Sequence, residues 1–155
     1  MYSTNVENEL RKVENLTFDI LTSDTMQNEM PSINQITSSY EKKQSIDSMI
    51  NYLLNQAFTQ QYIASITLID NNGISYSVGN STIDYSNDIL STIEKKVKDN
   101  AGALVWLEPQ GDNRFLVAAR EIRSMYGLQD LCTLIVRIDP NTLVNWVSNM
   151  SHLMK

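Results

Sequence analysis

The chain has 155 residues, of which 42% are hydrophobic and 19% are charged, and its formal net charge is −6. This length fits one domain with a core of its own, and the negative charge argues against nucleic-acid binding and against docking on anionic membranes. Because the chain holds one cysteine, Cys132, and one histidine, His152, an intrachain disulfide and a Cys/His zinc site are excluded, and no cofactor or metal is predicted.

The first 22 residues have the periodicity of an amphipathic helix. Side chains suited to a buried seam recur at alternating spacings of four and three, at Val6, Leu10, Val13, Thr17 and Ile20. The pattern predicts an α-helix over residues 3–22. We expect the seam to pack on the sheet of the same chain, because the repeat is short for a self-sufficient coiled coil. Dimer contacts at one end of this helix are a further hypothesis.

A second helical region extends to residue 58. Asp24 and Gln27 resemble a capping pair for a short helical turn. We expect Pro31 to end that turn, because proline lacks an amide proton and clashes with the preceding turn. Ser38 begins a capping-box pattern, and the apolar spacing behind it predicts a long helix over residues 39–58.

The period then changes from helical to alternating. Five stretches rich in β-branched or apolar residues predict β-strands, at residues 62–70, 74–79, 103–108, 114–122 and 131–139. The Asp-Asn-Asn-Gly sequence at 70–73 predicts a hairpin turn, and residues 109–113 predict another. Helical spacing over residues 86–100 predicts a helix between the second and third strands. Asp139 followed by Pro140 predicts the start of a last helix.

These elements predict an α+β fold built on one antiparallel sheet of five strands. The long N-terminal helices should cover one face, because a sheet face this apolar must be buried. We interpret residues 1–155 as one domain. It comprises an N-terminal helical region at 3–58, a sheet core at 62–139 and an exit helix at 140–155.

Four segments carry a resemblance to a known family: YIASITLIDNNGISYSVGN, GALVWLEP, RFLVAAREI and LCTLIVRIDPNTLVNWV. Together with the N-terminal seam helix, they are similar to the PAS-like single Cache sensor domains of Gram-positive two-component sensor histidine kinases. The resemblance implies a five-stranded sheet in the order 2-1-5-4-3. It also implies that the chain enters from one transmembrane helix and leaves into another, on the extracytoplasmic side of the cell membrane.

The function implied by this resemblance is ligand sensing without catalysis. Ligand binding would shift the terminal helices and so reach a cytoplasmic kinase, which requires different ligand affinities for two conformations. The alternative is a cytoplasmic PAS-like or roadblock-like domain that works by protein contact. Flanking membrane-spanning segments in the parent chain would discriminate between the two.

The resemblance also implies where a ligand binds, against the sheet beneath residues 80–102. Strand alternation places Arg120 on one face of the fourth strand with Leu116, Ala118 and Ile122. An arginine in line with apolar residues needs partners, and it could hold a ligand carboxylate or hydroxyls. The alternative is a structural pairing with a local acid such as Asp70 or Asp84.

Three aromatic residues complete the candidate ligand site. Trp106, on the third strand, could stack on a sugar ring or cap a small apolar ligand, or serve as a core residue. Tyr76 and Tyr85 flank the loop after the second strand, where a phenol could orient a polar ligand or sit half-buried. The candidate ligands are a sugar, an amino acid, an organic acid or a peptide, and a solute-binding protein could present the signal instead.

Overall fold

The computed structural model describes residues 2–35, 39–107, 115–127 and 129–153. The side chains of these residues are described as well, apart from those of 2–4 and 150–153. The helices are α1 (Tyr2–Thr22), α2 (Asp24–Asn34), α3 (Ser39–Ala57), α4 (Asn87–Asp99) and α5 (Pro140–Leu153). The strands are β1 (Ile63–Asp70), β2 (Ser75–Val78), β3 (Val105–Leu107), β4 (Leu116–Arg123) and β5 (Asp130–Ile138).

The five strands form one antiparallel sheet in the order β2-β1-β5-β4-β3. This order confirms the predicted fold class. The last strand of the chain is the central one: Val136 of β5 lies opposite Ile66 of β1 on one side and Ala118 of β4 on the other. A strand in this position has both edges paired and both faces covered, which accounts for its near-continuous apolar sequence.

One face of the sheet, called here the α1–α3 face, carries the larger hydrophobic core. Strand alternation directs Leu68, Ala118, Leu134 and Val136 to this face, and all four are fully buried. Helices α1, α2, α3 and α5 cover them. Their buried contributions to the same cluster are Val13, Ile20, Met26, Met30, Ile33, Met49, Leu53, Ala57, Leu143 and Val147. The seam of α1 therefore packs on the sheet of its own chain, as predicted.

The opposite face, called here the α4 face, carries a smaller core under one helix. It consists of Ile69, Ile93, Val97, Leu107, Val117, Ala119 and Ile135. Polar side chains occupy the remaining inward positions of β1 and β5, where Ser65, Thr67 and Arg137 are buried. The two faces thus differ in chemistry as well as in the number of covering helices.

The local signals at two chain reversals act as predicted. In the β1–β2 turn, Asp70 Oδ1 accepts the Asn72 and Ile74 amides, both at 2.9 Å, and Gly73 takes a positive φ of 82°. At the start of α5, Asp139 Oδ1 accepts the Asn141 amide at 3.0 Å. Proline at the first helical position then needs no hydrogen-bond partner for its nitrogen.

The predicted helical turn after residue 24 is wrong in length. Helix α2 runs over eleven residues and contains Pro31, because the proline lies in its last turn and the buried Met30 and Ile33 hold that turn against the core. The capping residue is Ser23, whose Oγ accepts the Met26 amide at 3.1 Å.

Strand β3 is shorter than predicted, with three residues at 105–107. The side chain of Gln27, predicted as a cap partner, instead fastens the α1–α2 corner to the β4–β5 loop. It donates to the Arg123 carbonyl at 3.0 Å and accepts the Met125 amide at 2.9 Å. Ser38 and the predicted turn at 109–113 lie outside the described residues.

Candidate functional site

The structure does not bring the four predicted ligand residues into one pocket. Arg120 and Trp106 lie on the α1–α3 face, on the side of the sheet opposite α4, and Arg120 reaches the 80–102 segment at Gly102, its last residue. Arg120 donates to the Gly102 carbonyl at 2.8 Å and to Thr17 Oγ1 at 3.4 Å. Trp106 Nε1 donates to Glu14 Oε1 at 3.2 Å. Both side chains tie β3 and β4 to α1, and Arg120 takes these partners in place of the expected Asp70 or Asp84.

The two tyrosines separate as well. Tyr76 projects to the α1–α3 face, where its hydroxyl donates to Asp70 Oδ2 at 3.2 Å. Burial, reinforced by the charge and the hydrogen bond of Asp70, raises the pKa of Tyr76 to about 12. Tyr85 packs against the α4-face core. Of the four predicted residues, Tyr85 is therefore the one that faces the region beneath the 80–102 segment.

An arginine that the sequence analysis did not select dominates this region. Arg137 of β5 lies opposite Ser65 of β1 and Val117 of β4, on the α4 face, and its side chain is 0% exposed. Its guanidinium carbon lies 4.3 Å from the centroid of the Phe115 ring. A guanidinium removed from water loses its hydration and requires compensating partners.

The partners of Arg137 are incomplete. Its Nη2 donates to the carbonyl and the hydroxyl oxygen of Ser81. Within the described ranges its Nε and Nη1 make no hydrogen bond, and the ion pairs found there do not include it. Burial lowers the pKa of Arg137, and the charges of Tyr85 and Asp139 oppose that shift in part. The site therefore holds a cation with unused donors.

Two further polar groups beside Arg137 are also unused. The hydroxyls of Ser65 and Tyr85 are buried, and neither has a hydrogen-bond partner of normal geometry in the described part of the chain. Burial raises the pKa of Tyr85, while nearby Arg137, Thr67 and Ser65 lower it. Each unsatisfied buried polar group costs about 1–3 kcal/mol. Such a cluster is unusual in a folded protein unless another molecule can complete it.

Residues 79–86 connect β2 to α4 and cover this cluster. This segment is called here the strap. Its start is fixed at Gly79, where φ is +132° and an added Cβ would lie 2.5 Å from the Ala64 carbonyl oxygen. Its end is fixed at Ser86, which caps α4 by accepting the Ile89 amide at 3.4 Å. Residues 80–84 between these points are exposed. The strap is therefore anchored at both ends and solvated in the middle.

A cavity of about 290 Å³ opens beside the strap, lined by Ser75, Ser77, Ile83, Asp84 and Tyr85. Its size is close to the lower limit of small-molecule sites. A second cavity on the same face, about 440 Å³ in volume, lies at the β1–β2 turn and is lined by Asp70, Glu121 and Asp130 among others. In that cavity the buried Glu121 accepts from Arg123 at 3.2 Å, so its charge is already partnered.

Arg137 did have a signal in the sequence. It interrupts the most apolar strand, LCTLIVRID, at the inward-facing position that follows Thr133 and Ile135 in the alternation. The hydrophobicity of that strand predicts its central place in the sheet and does not by itself point to Arg137. A charged residue at an interior position of a central strand is itself a candidate for function, because burial without a partner is so unfavourable.

Neither a metal site nor a membrane span is found in the ranges that the structure describes. No group of three or more His, Cys, Asp or Glu side chains there could hold a metal ion. No helix there combines the length and the apolar character needed to cross a bilayer.

Comparison with known proteins finds similarity to a curated protein and to a solved structure. No family model matches the sequence. The sensor histidine kinase YesM of Bacillus subtilis is 26% identical over 161 aligned positions, which cover 99% of this chain and 28% of that protein. The ligand-binding domain of the Campylobacter jejuni chemoreceptor Tlp3, solved in complex with L-norvaline, superposes with a TM-score of 0.66 at 16% identity. That superposition covers 94% of this chain and 57% of the solved chain.

These comparisons confirm the resemblance found in the sequence. The fold is that of the PAS-like Cache sensor domains, and the chain is homologous to part of a sensor histidine kinase. The solved neighbour is a ligand-binding domain. The chain spans about a quarter of the kinase that it matches.

Proposed function

Taking a PAS-like Cache sensor domain as the premise, we propose that this chain is the extracytoplasmic ligand-sensing domain of a membrane-bound sensor histidine kinase. It binds a small molecule on the α4 face, under the strap, and transmits the binding event through α1 and α5. A sugar, an amino acid or an organic acid is the proposed ligand class. A solute-binding protein that presents the signal and a homodimer of sensor domains are further elements of the proposal.

The observation that carries this proposal is the cluster of unused polar groups around Arg137. The buried Nε and Nη1 of Arg137 have no hydrogen-bond partner in the described residues, and the hydroxyls of Ser65 and Tyr85 have none of normal geometry there. A ligand that supplies these partners gains the full value of hydrogen bonds made away from water. The adjacent cavity beside Ser77 and Tyr85 provides space for the rest of such a molecule.

The route from this site to the terminal helices runs through the sheet. Arg137 belongs to β5, which leads directly into α5, and Asp139 between them donates its amide to the Tyr62 carbonyl at 2.9 Å. On the opposite face, the Tyr62 hydroxyl donates to Glu9 Oε2 of α1 at 2.6 Å. A change at β5 therefore reaches both terminal helices within a few contacts. Coupling between two such sites is typically about 1–3 kcal/mol.

The ligand-binding role predicted for Arg120, Trp106 and Tyr76 stays a prediction. Each of these side chains has an intramolecular partner on the α1–α3 face: Gly102, Glu14 and Asp70, respectively. We propose Tyr85 together with Arg137 and Ser65 as the primary ligand contacts.

The first test is a thermal-unfolding screen of this chain with amino acids, including L-norvaline, and with sugars and organic acids. A ligand should raise the midpoint of unfolding, because it binds the folded state alone. Tyr85→Phe should weaken that response, since it removes an unused hydroxyl from the site. Tyr76→Phe is the matched control and should leave the response unchanged.

The second test concerns transmission. The chain replaces the aligned segment of the Bacillus subtilis kinase, and autophosphorylation of the chimera is measured in membranes. A ligand found in the first test should change the rate of autophosphorylation. A ligand that stabilises the chain and leaves the kinase rate unchanged would contradict the proposed function.

A further inference from the structure

Ser81 contacts Arg137 at one nitrogen of the guanidinium, Nη2. Both oxygens of Ser81, the carbonyl and the hydroxyl, accept from Nη2. The two unused nitrogens are Nε and Nη1. Since the side chain is 0% exposed, water does not serve these donors from bulk solvent.

The hydrogen bonds from Nη2 to Ser81 affect how a carboxylate can bind Arg137. A carboxylate binds arginine most strongly through two parallel hydrogen bonds. The side-on arrangement uses Nε with Nη2, and the end-on arrangement uses Nη1 with Nη2. Each fork uses one of the two Nη2 hydrogens, and Ser81 presents two oxygens to that nitrogen. With one Ser81 oxygen on each hydrogen, a carboxylate binds Arg137 in a bidentate manner only after Ser81 leaves. The Ser81 oxygens and a carboxylate are mutually exclusive partners.

We propose that the ligand carries a carboxylate that pairs with Arg137, and that Ser81 is an internal stand-in for it that the ligand must displace. This inference rests on the proposed function and specifies both the chemical class of the ligand and the first movement that it causes. The ligand carboxylate supplies a directly paired negative charge, and the ion pairs of the described residues include none to Arg137. The strap then leaves the sheet between its anchors at Gly79 and Ser86.

The strap is built for such a displacement. Ser81 itself is exposed. Besides the bond between its carbonyl and Arg137, its backbone amide donates to the Ala64 carbonyl at 3.0 Å. Asn80, Thr82, Ile83 and Asp84 are exposed. Releasing Ser81 therefore uncovers little apolar surface. The end of the strap is the N-cap of α4, so the movement acts on the helix that covers this face.

The experiment follows the side-chain NH resonances of Arg137 and the backbone amide of Ser81 by NMR during titration with small probes. The probes are matched pairs: acetate with acetamide, succinate with succinamide, and D-glucuronate with D-glucose. Carboxylates should shift both resonances together, and the uncharged partners should shift neither. Inorganic phosphate is titrated separately, as an anion of different shape.

Two variants sharpen the result. Arg137→Met should weaken carboxylate binding at least about 30-fold while the midpoint of thermal unfolding stays level or rises, because an uncompensated buried charge has been removed. A purely structural arginine would lower the midpoint. Ser81→Ala keeps the carbonyl and removes the hydroxyl competitor, so it should tighten carboxylate binding about 2–10-fold.

Several outcomes would overturn this inference. The first is that D-glucose or phosphate shifts the Arg137 and Ser81 resonances and the carboxylates do not. The second is that no carboxylate shifts the Arg137 resonances. The third is that Ser81→Ala binds carboxylates more weakly than the parent chain does. Each of these leaves the proposed sensing function standing. That function fails separately, when a ligand binds the chain without changing the kinase rate of the chimera.

Discussion

Each side of the sheet buries a charged group next to a tyrosine, and the two groups differ in how many hydrogen-bond partners they have. Glu9, which packs on the α1–α3 side, is 2% exposed. It accepts from the Tyr62 hydroxyl at 2.6 Å and from Lys12 at 3.0 Å. Arg137 on the α4 face is 0% exposed and has Ser81 as its hydrogen-bonded partner, with two donor nitrogens unused in the described part of the chain. Tyr85 beside it keeps an unused hydroxyl.

This difference distinguishes a rigid structural part of the molecule, called here the framework, from the candidate ligand site on the α4 face. A buried charge whose partners are all present contributes to a rigid, specific packing. A buried charge with missing partners is unfavourable until something binds, so it is retained at a cost in stability. Local stability should therefore be concentrated on the α1–α3 face. The α4 face, with one helix and the strap, should be the part that rearranges.

The largest expected effect comes from the hydrophobic cores. Leu134 and Ile135 are adjacent in β5, both are fully buried, and they face opposite sides of the sheet. Truncation of such side chains to alanine costs about 2–5 kcal/mol, depending on how far the surroundings can collapse into the cavity. Leu134→Ala should be near the upper value, because four helices confine its site. Ile135→Ala should be near the lower value.

Urea unfolding of the two variants measures this difference directly. Equal losses of unfolding free energy, or a larger loss for Ile135→Ala, would mean that the two faces are equally rigid. The comparison between framework and site would then not hold.

The second prediction removes one hydroxyl from each face. Tyr62→Phe deletes the 2.6 Å hydrogen bond to the buried Glu9, which should cost about 1–3 kcal/mol because the carboxylate loses a partner. Tyr85→Phe deletes a hydroxyl without a partner of normal geometry, so the free energy of unfolding should stay level or increase. The measurement is chemical unfolding without ligand. A loss of stability in Tyr85→Phe comparable to that in Tyr62→Phe would show that Tyr85 is framework.

The smallest expected effect is the pH dependence of the second cavity. Burial, with Asp130 adding and Arg123 opposing, raises the pKa of Glu121 above its ordinary value of 4.5. The folded state therefore binds the Glu121 proton more tightly than the unfolded state does. The resulting stabilisation is present below pH 4.5 and is lost as pH rises through the raised pKa.

Glu121→Gln should remove the loss of stability that accompanies ionisation of Glu121. Relative to the parent, the variant should gain stability as pH rises toward neutrality, which urea unfolding at a series of pH values would detect. A stability difference that stays constant over this range would mean that the Arg123 ion pair at 3.2 Å offsets the burial completely.

Local sequence signals determined the elements of this protein. The β1–β2 turn followed from Asp70 and Gly73, and the start of α5 from Asp139 and Pro140, because these residues act on their own backbone within a few positions. Pro31 shows the limit of such signals. Proline in a last turn is tolerated when the neighbouring Met30 and Ile33 are buried in the core, and that burial depends on contacts distant in sequence.

The residues of the candidate site could not be predicted from the pattern of a single strand. Alternation placed Arg120 on a face correctly with Leu116, Ala118 and Ile122, but the side that α1 covers and the side that the strap covers are set by how the layers pack. For this reason Arg120 and Trp106 contact α1, and Arg137 lies beside Ser65 of β1 and beside Ser81 and Tyr85 of the strap.

The sequence by itself thus determined the helices, the five strands and the resemblance that gave their order, since these rest on periodicity, turn chemistry and segment patterns. Only the tertiary structure decided that Arg137 is 0% exposed with two donor nitrogens lacking hydrogen-bond partners among the described residues. Hydrogen-bond satisfaction is a property of all the segments that meet around a group. It is not visible in the residues next to Arg137 along the chain.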